Sequence, residues 1–351
     1  MKVTKQTAKT VGKKVTAIFL MPLLVYLVML IVCGANGTVF NIFSGPAISD
    51  ILKRTSYMAI VAMGIGFQLK YGRFDFCGGA VIVASATIGG VFINAVGLGY
   101  TPVAGWLVML IICVLFAVIL SVINALAYGW LRIPISVISL AMAYLFESIP
   151  GLVLNGKQGP NISYRTEFNV LGQFPLVLIP LAIAIILYVC YDKFTVHGRQ
   201  SALLRNNQSA AVNIGINEKK NTVICYIVSG ILFGLAGAIY ATQNTLEPIT
   251  SPLGTSGTLF SNIVPSLVGL FLSRYINDSA GTFIGALSIT ILYYGLELVG
   301  VGGGLKTVCY AAFLTIFIFI SGFWDQIWIY LKKLVAMIKA KLSKPKGVAN
   351  S

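Results

Sequence analysis

The sequence predicts an all-α polytopic membrane protein with about ten transmembrane helices, some of them broken or re-entrant, and with both termini in the cytoplasm. Composition is the first reason, because 57% of the residues are hydrophobic and only 10% are charged, whereas soluble domains carry roughly 25% charged residues. The apolar residues also form runs long enough to cross a bilayer. Finally, lysine and arginine concentrate in alternate loops and in the tails, as expected of segments on the cytoplasmic side.

Ten apolar segments define the expected helices. They cover residues 15–33, 55–70, 75–97, 103–129, 133–154, 174–191, 221–242, 257–273, 280–300 and 305–323. We therefore expect a basic cytoplasmic N-terminus (1–14), a transmembrane domain (15–323) and a basic amphipathic cytoplasmic tail (324–351) that lies on membrane lipid. The first segment is expected to remain as an uncleaved span, because it is long enough to cross and no clean cleavage site follows it.

Charge, cysteine and motif content exclude several function classes. The net charge of +15 is spread over loops and tails instead of one face, so we expect no nucleic-acid partner. The six cysteines form no CxxC pair and His197 is the single histidine, so no metal site or cofactor is expected. A phosphate-binding loop of the form GxxxxGKS or GxxxxGKT is absent, so the chain is expected neither to hydrolyse ATP by itself nor to be an enzyme.

The longest polar interruption of the apolar pattern is the segment 191–221, which is expected to be a cytoplasmic loop. We expect one short helix in its middle, over Ser201–Val212, between Gly198 and Gly215. A basic helix between two spans either lies on the lipid surface or docks onto a cytosolic partner. We favour the partner, and name the segment 191–221 the coupling loop.

Three acidic residues, Asp75, Glu147 and Glu297, lie at or near membrane depth, where each costs roughly 2.5–3.5 kcal/mol unless it is hydrated or paired. In a proton-coupled carrier they would relay protons, and in a passive pore they would cap or pack helices. Asp75 is expected to cap the helix that restarts after it, with Lys70 and Arg73 near enough to help neutralise it. Glu147 and Glu297 have no obvious basic partner, and for them a role in the substrate path and a role in packing both stay open.

Other residues indicate where a solute could pass. Phe74 and Phe76 belong to an aromatic group around the second segment, which suits the lining of a path for a small polar solute. Anchoring at the membrane interface explains such aromatic residues equally well. Asn262 is a polar residue at membrane depth, so it is expected to face protein or a water-filled cavity. The small-residue face Gly230, Gly234 and Gly237 predicts close helix packing.

Four stretches resemble the permease subunit of the ribose/galactose type of bacterial ABC importers, and the resemblance covers roughly residues 38–322. They are Ala62–Gly66 with Gly72–Gly79 ("AlGmt…tGGiDLSvG" in the family), Val122–Leu126 with Leu131–Pro134 and Leu154–Gly156 ("iNG…lrip" and "ltnG"), Asn206–Ile216 ("NeeAArlsGI"), and Ser229–Gly237 ("sGllaglAG"). Each stretch is short, but the four occur in the family's order and spacing.

The resemblance implies import of a sugar or similar small polar solute across the cytoplasmic membrane, driven by two cytosolic ATPase subunits. It also implies a second permease copy or paralogue and an extracytoplasmic solute-binding protein. The ATPase would be contacted by Arg205, Asn206, Asn207, Ser209, Ala210, Ala211 and Gly215. From the aromatic and polar residues described above, we expect the translocation pathway to be lined by Phe74, Asp75, Phe76, Glu147, Asn262 and Glu297.

Departures from the family pattern fall where the pathway is expected. Arg73 replaces the second glycine of "GGiDLS", and Phe76-Cys77 replaces its Leu-Ser. The stretch 258–272 also lacks both acidic residues of the family's "yELdaIAAvviGGtSl". The solute is therefore not carried over from the resemblance, and a heterodimer stays open. The alternatives are a proton-coupled secondary transporter and a membrane scaffold that transports nothing.

Overall fold

A computed structural model describes residues 2–96, 102–131, 133–160, 170–273, 275–323 and 326. This part of the chain is helical and contains no strand. The helices are α1 (Lys2–Ala35), α2 (Gly45–Lys70), α3 (Gly78–Val96), α4 (Pro102–Leu131), α5 (Ile135–Val153), α6 (Leu178–Phe194), α7 (Val196–Asn206), α8 (Gln208–Asn213), α9 (Glu218–Gln243), α10 (Ser256–Leu272), α11 (Asp278–Leu298) and α12 (Gly303–Gly322), with a 3₁₀ turn at Val170–Gly172. The tail expected at 324–351 lies outside the described residues, apart from Gln326.

Each of the ten apolar segments corresponds to a long helix, but the second was placed too short. Helix α2 begins at Gly45, well before the expected start at residue 55. Pro46 stands in its first turn, where the fixed φ of proline favours helix and its missing N–H is not needed. The next turn is supported by an ion pair between Arg54 Nε and Asp50 Oδ2 at 2.9 Å, four residues apart on the same face.

Only some of the described helices are long and apolar enough to cross a membrane. Five helices in the described residues are long and apolar enough to span: α3, the Gly105–Leu131 part of α4, α5, α9 and α11. Helices α6 and α7 would make a sixth span if taken together, although they meet at a bend of 70°. The chain therefore crosses the membrane several times, while the count of ten spans and the cytoplasmic placement of both termini stay predictions.

Helix α9 lies at the centre of the unit formed by residues 1–300, packed on α2, α3 and α4. Its glycine face allows this close approach. A Cβ added to Gly230 would meet Val118 Cα of α4 at 2.9 Å, and one added to Gly234 would collide with Val114 Cα. The expectation that this face packs helices closely is confirmed.

The rest of this unit packs around α2 and α11. Helix α10 lies against α2 and α11, and α1 packs on α11. A Cβ on Gly285 would lie 3.0 Å from Pro265 Cα, so α10 and α11 also meet through a small residue. Residues 301–351 form a separate unit, in which α12 is the described helix.

Candidate functional site

The coupling loop contains two short helices, so the single helix expected over Ser201–Val212 is wrong. Helix α7 begins after Thr195, whose hydroxyl accepts the N–H of Gly198 at 3.0 Å, and it continues through Gly198. The chain then breaks at Asn207, whose Oδ1 accepts the N–H of Ala210 at 3.0 Å and caps α8. Asparagine is favoured as a cap because its side chain satisfies an N–H left free in the first turn.

Helix α8 ends at a glycine, as the sequence predicted. Gly215 has φ +92°, and its N–H donates to Val212 O while the N–H of Ile216 donates to Ala211 O. This pair of bonds is the Schellman arrangement, which requires a left-handed residue at the glycine position. The apolar contact typical of this arrangement is present, because Leu204, Ala211 and Ile216 form a small buried cluster.

The residues expected to contact an ATPase are mostly on the surface of α7 and α8. The exposed ones are Arg205, Asn206, Asn207, Ser209, Ala210 and Gly215. Ala211 is only 3% exposed and belongs to the buried cluster instead. Three apolar side chains that the sequence reasoning did not single out, Leu203, Val212 and Ile214, are 49%, 45% and 72% exposed. The sequence offers no simple signal for them, because Asn207 breaks the segment into two helices whose exposed faces differ.

Buried polar contacts hold α7 against the start of α9. The Ser201 hydroxyl donates to Asn221 Oδ1 at 2.7 Å, and Asn221 Nδ2 donates to the carbonyl of His197 at 3.3 Å. Ser201 and Asn221 have no exposed surface. Such paired buried groups are costly to separate, because each would lose its partner without gaining water. The coupling loop is therefore fixed to a membrane-spanning helix.

Lys70, at the end of α2, joins three segments. Its Nζ lies 2.7 Å from Asp192 Oδ1 of α6 and 2.5 Å from Asp278 Oδ2 of α11. The Tyr71 hydroxyl donates to the same Asp192 oxygen at 3.2 Å. Burial, followed by the neighbouring Asp192 carboxylate, raises the pKa of the Tyr71 phenol, so this group remains a donor. The expectation that Lys70 helps neutralise Asp75 is wrong.

The turn after α2 determines where Arg73 points. Gly72 has φ +77°, its N–H donates to Leu69 O, and the N–H of Arg73 donates to Gln68 O. This second Schellman arrangement reverses the chain. It directs Arg73 toward α9, where its Nη2 donates to the Thr222 hydroxyl at 3.0 Å. Arg73 therefore does not form an ion pair with Asp75, contrary to expectation.

Asp75 is bonded by neutral groups. Its Oδ1 accepts the N–H of Cys77 at 2.8 Å, just before α3 begins, which agrees with the expected capping role. Asn124 Nδ2 of α4 lies 3.3 Å from both carboxylate oxygens. Asp75 is 9% exposed, so these bonds join the α2–α3 turn to α4 inside the bundle.

Glu147 and Glu297 have different surroundings from each other. Glu147 Oε1 accepts the N–H of Thr255 at 2.8 Å and also its hydroxyl, at the residue before α10. A carboxylate is favourable there, because helix N-termini carry partial positive charge. Glu297 Oε1 lies 2.8 Å from Arg54 Nη1. The expectation that Glu297 lacks a basic partner is wrong, since the partner lies on α2, far away in sequence.

The remaining pathway candidates connect the α2–α3 turn to α10. The Phe74 and Phe76 rings meet edge to face at 4.7 Å, and Phe76 lies 6.3 Å from Phe260. Asn262 is 3% exposed, and its Nδ2 donates to the Thr258 carbonyl at 2.7 Å. Phe74, Asp75 and Phe76 thus lie together in the α2–α3 turn. Glu147 instead bonds the residue before α10, and Glu297 lies near the end of α11.

Comparison with known sequences identifies the family. Residues 47–321 match the family described as "Branched-chain amino acid transport system / permease component". The chain belongs to this permease family. The permease is therefore a multi-pass protein of the bacterial plasma membrane and a transport subunit, not an enzyme.

Several curated relatives align with most of the permease. The ribose import permease protein of Bacillus subtilis (strain 168) is 27% identical over 268 residues, which cover 74% of this chain and 80% of the relative. The galactose/methyl galactoside import permease protein of Haemophilus influenzae is 23% identical over 300 residues, covering 79% and 87%. The D-allose transport system permease protein of Escherichia coli K12 is 24% identical over 278 residues, covering 73% and 80%. The resemblance inferred from the four motifs is confirmed.

Proposed function

We propose that this chain is the transmembrane permease subunit of an ABC importer, which moves a sugar or similar small polar solute into the cell while separate ATPase subunits supply the energy. The relatives support the solute class, since their names refer to ribose, galactose, methyl galactoside and allose import or transport. The chain has no phosphate-binding loop of its own, so in an ATP-driven importer a partner subunit would hydrolyse the ATP.

The observation that carries the proposal is the construction of the coupling loop. Helices α7 and α8 are anchored through the bond from Ser201 to Asn221 of α9 and through the cluster around Leu204, while their exposed positions and the turn after α8 carry polar groups and the apolar Val212 and Ile214. An exposed mixed surface on a rigid support fits a protein partner better than lipid. Movement of an attached ATPase would then displace α9 as a rigid body.

The complete transporter requires further components. A second permease copy or paralogue would complete the pathway, and an extracytoplasmic solute-binding protein would deliver the solute. The coupling loop faces the cytoplasm in this arrangement, together with both termini, which the bias of lysine and arginine toward alternate loops favours. Ten spans with some broken or re-entrant helices are consistent with that orientation.

Substitutions on the exposed face test the docking. Arg205→Glu reverses a charge and Ala210→Trp adds bulk on an exposed position, and neither residue contributes to the buried cluster. Both variants should lose co-purification with the co-expressed ATPase and should not stimulate ATP hydrolysis. Lys157→Glu is the matched control, because Lys157 is exposed on the segment expected outside. Normal co-purification by both variants would refute docking through this face.

The proton-coupled alternative gains no support. The three carboxylates that it needs have separate structural partners: Cys77 N–H and Asn124 for Asp75, Thr255 for Glu147, and Arg54 for Glu297. Uptake driven by a pH gradient in the absence of any ATPase would reinstate it. A scaffold without transport activity is disfavoured by the permease relatives.

A further inference from the structure

A cavity of about 720 Å³ lies beside the turn between α2 and α3. Its wall is formed by that turn, the end of α4, the start of α5 and the start of α9. A smaller cavity of about 210 Å³ adjoins it under the end of α7. Arg73, Tyr128, Gln208 and Glu218 line both. The combined space is within the range that holds small-molecule ligands in proteins.

Arg73 is the central charged group of this space. It is only 8% exposed, and Nη2 donates to Thr222 while the buried Nη1 has no hydrogen-bond partner. No carboxylate of the described residues lies within ion-pair distance of it. A guanidinium that is shielded from water and lacks a counter-ion is unfavourable, unless an anion completes its bonding.

The other charges around the space are mainly positive. Lys219 lines the larger cavity and Arg205 the smaller. Glu218 is the acidic side chain on these walls, and its Oε1 already accepts hydrogen bonds from the Tyr128 hydroxyl at 3.1 Å and Gln208 Nε2 at 2.7 Å. The three cations therefore outnumber a carboxylate that is engaged with neutral donors.

Two helix N-termini add to this positive potential. Helix α5 starts at Ile135 after Pro134, and no side chain caps it, while Ile135 and Ser136 line the larger cavity. Helix α9 starts at Glu218, in the wall of both cavities, and the Asn217 side chain already accepts the N–H of Lys220 there. The α9 terminus therefore contributes through its partial positive charge, whereas the α5 terminus also offers N–H groups that no side chain caps, and both features favour an anion.

We propose that this space binds a small anion carrying a phosphate group, with Arg73 as its principal ligand and Lys219 and Arg205 as supporting charges. Phosphate fits because a guanidinium forms paired hydrogen bonds with it, and because several cations favour a dianion. Arg73 lines both parts of the space, and its Nη1 is the donor left without a partner.

Titration with inorganic phosphate tests the site. The full-length chain is placed in nanodiscs of phosphatidylcholine and titrated calorimetrically with phosphate, against chloride at equal ionic strength. Phosphate should bind with measurable heat, and Arg73→Gln should weaken the binding by roughly tenfold or more. Lys193→Gln is the control, because Lys193 is an exposed cation bonded to Asn277, away from the cavities; it should bind as the parent does.

A second variant keeps the proposal testable if the Arg73→Gln variant fails to fold. Lys219 is exposed, so Lys219→Gln should fold normally and weaken phosphate binding by roughly threefold. Equal heats for phosphate and chloride, or parental phosphate affinity in both the Arg73 and Lys219 variants, would overturn the proposal. These measurements need no ATPase, so their failure is distinct from a failure of ATPase docking.

The source of the phosphate is resolved by the lipid. If a lipid headgroup occupies the site, nanodiscs that contain phosphatidylglycerol should weaken the binding of inorganic phosphate to the parent chain, and the difference between parent and Arg73→Gln should shrink. If a free cytosolic compound is the ligand, the ratio of the parent and Arg73→Gln affinities should be the same in both kinds of nanodisc, because the negative surface of the phosphatidylglycerol bilayer lowers both affinities alike. Either result supports a phosphate site, and absence of phosphate binding in both contradicts it.

Discussion

Lys70 shows how one side chain connects the coupling loop to the helix bundle. It bridges Asp192, at the start of the coupling loop, and Asp278, at the start of α11. The lysine side chain is 19% exposed, so solvent screens the pair less than on an open surface, and the interaction exceeds that of a fully exposed pair. A displacement of the coupling loop would therefore be transmitted to both α2 and α11.

Lys70→Gln should lower the thermal stability of the detergent-solubilised chain, by roughly 1–2 kcal/mol after allowance for partial exposure. Asp192→Asn should do the same, and the double variant should cost less than the sum of the two, because both remove one interaction. Lys220→Gln, at an exposed lysine of the same loop, serves as control and should have little effect. Additive losses in the double variant would contradict the bridge.

Glu147 discriminates between a structural and a proton-carrying role. Its Oε1 accepts two bonds from Thr255, and the carbonyl oxygen of glutamine can accept the same bonds. Glu147→Gln should therefore retain solute uptake within about threefold of the parent, with an unchanged pH profile. Glu147→Ala, which leaves the Thr255 N–H without its partner, should lower stability. Complete loss of uptake in the glutamine variant, with normal folding, would indicate proton transfer.

Sequence reasoning at the scale of residues succeeded where partners are local and failed where they are distant. Asp75 was expected to cap, and its partner is the N–H of Cys77, two residues away. Arg54 and Glu297 are separated by 243 positions, so no local pattern could pair them. Lys70 was assigned to Asp75 by proximity in sequence, while the folded chain offers it Asp192 and Asp278.

At the scale of elements, caps determine the shape of the coupling loop. Asn207 interrupts a helix that apolar periodicity alone would continue, because its side chain bonds the N–H of Ala210. The sequence contains this signal, and also Pro46 for the early start of α2. The 70° bend between α6 and α7 depends in addition on tertiary bonds such as that from Ser201 to Asn221, which no local pattern predicts.

The contact between α4 and α9 predicts a position-dependent effect of glycine substitution. Gly230→Ala places a methyl group 2.9 Å from Val118 Cα and from Ser121 Oγ, so it should destabilise the chain by roughly 1–3 kcal/mol. Gly257→Ala is the matched control, because nothing lies within 4 Å of its added carbon and alanine favours helix. Thermal unfolding in detergent measures both. Equal stability of the two variants would contradict the close packing.

At the scale of the molecule, apolar segments and the four short motifs sufficed to predict a helical permease. Every expected segment became a long helix, because length and hydropathy follow from the bilayer as solvent. The number of membrane spans did not follow in the same way from the sequence. In the described residues, five helices, or six with the bent pair, meet the criteria for a span, whereas ten were expected. The apolar helical stretches Met21–Ala35, Ser256–Leu272 and Gly303–Phe319 are shorter than the other spans, and such helix ends depend on the complete fold.

In the proposed function, separate ATPase subunits bind the coupling loop and drive the conformational change of the permease. The most direct test is uptake of radiolabelled ribose and galactose by proteoliposomes containing this chain, its solute-binding protein and its ATPase subunits. Uptake should require both the ATPase and ATP on its side of the membrane, and Arg205→Glu should abolish it. Accumulation of solute by liposomes that contain the chain but no ATPase would contradict the account.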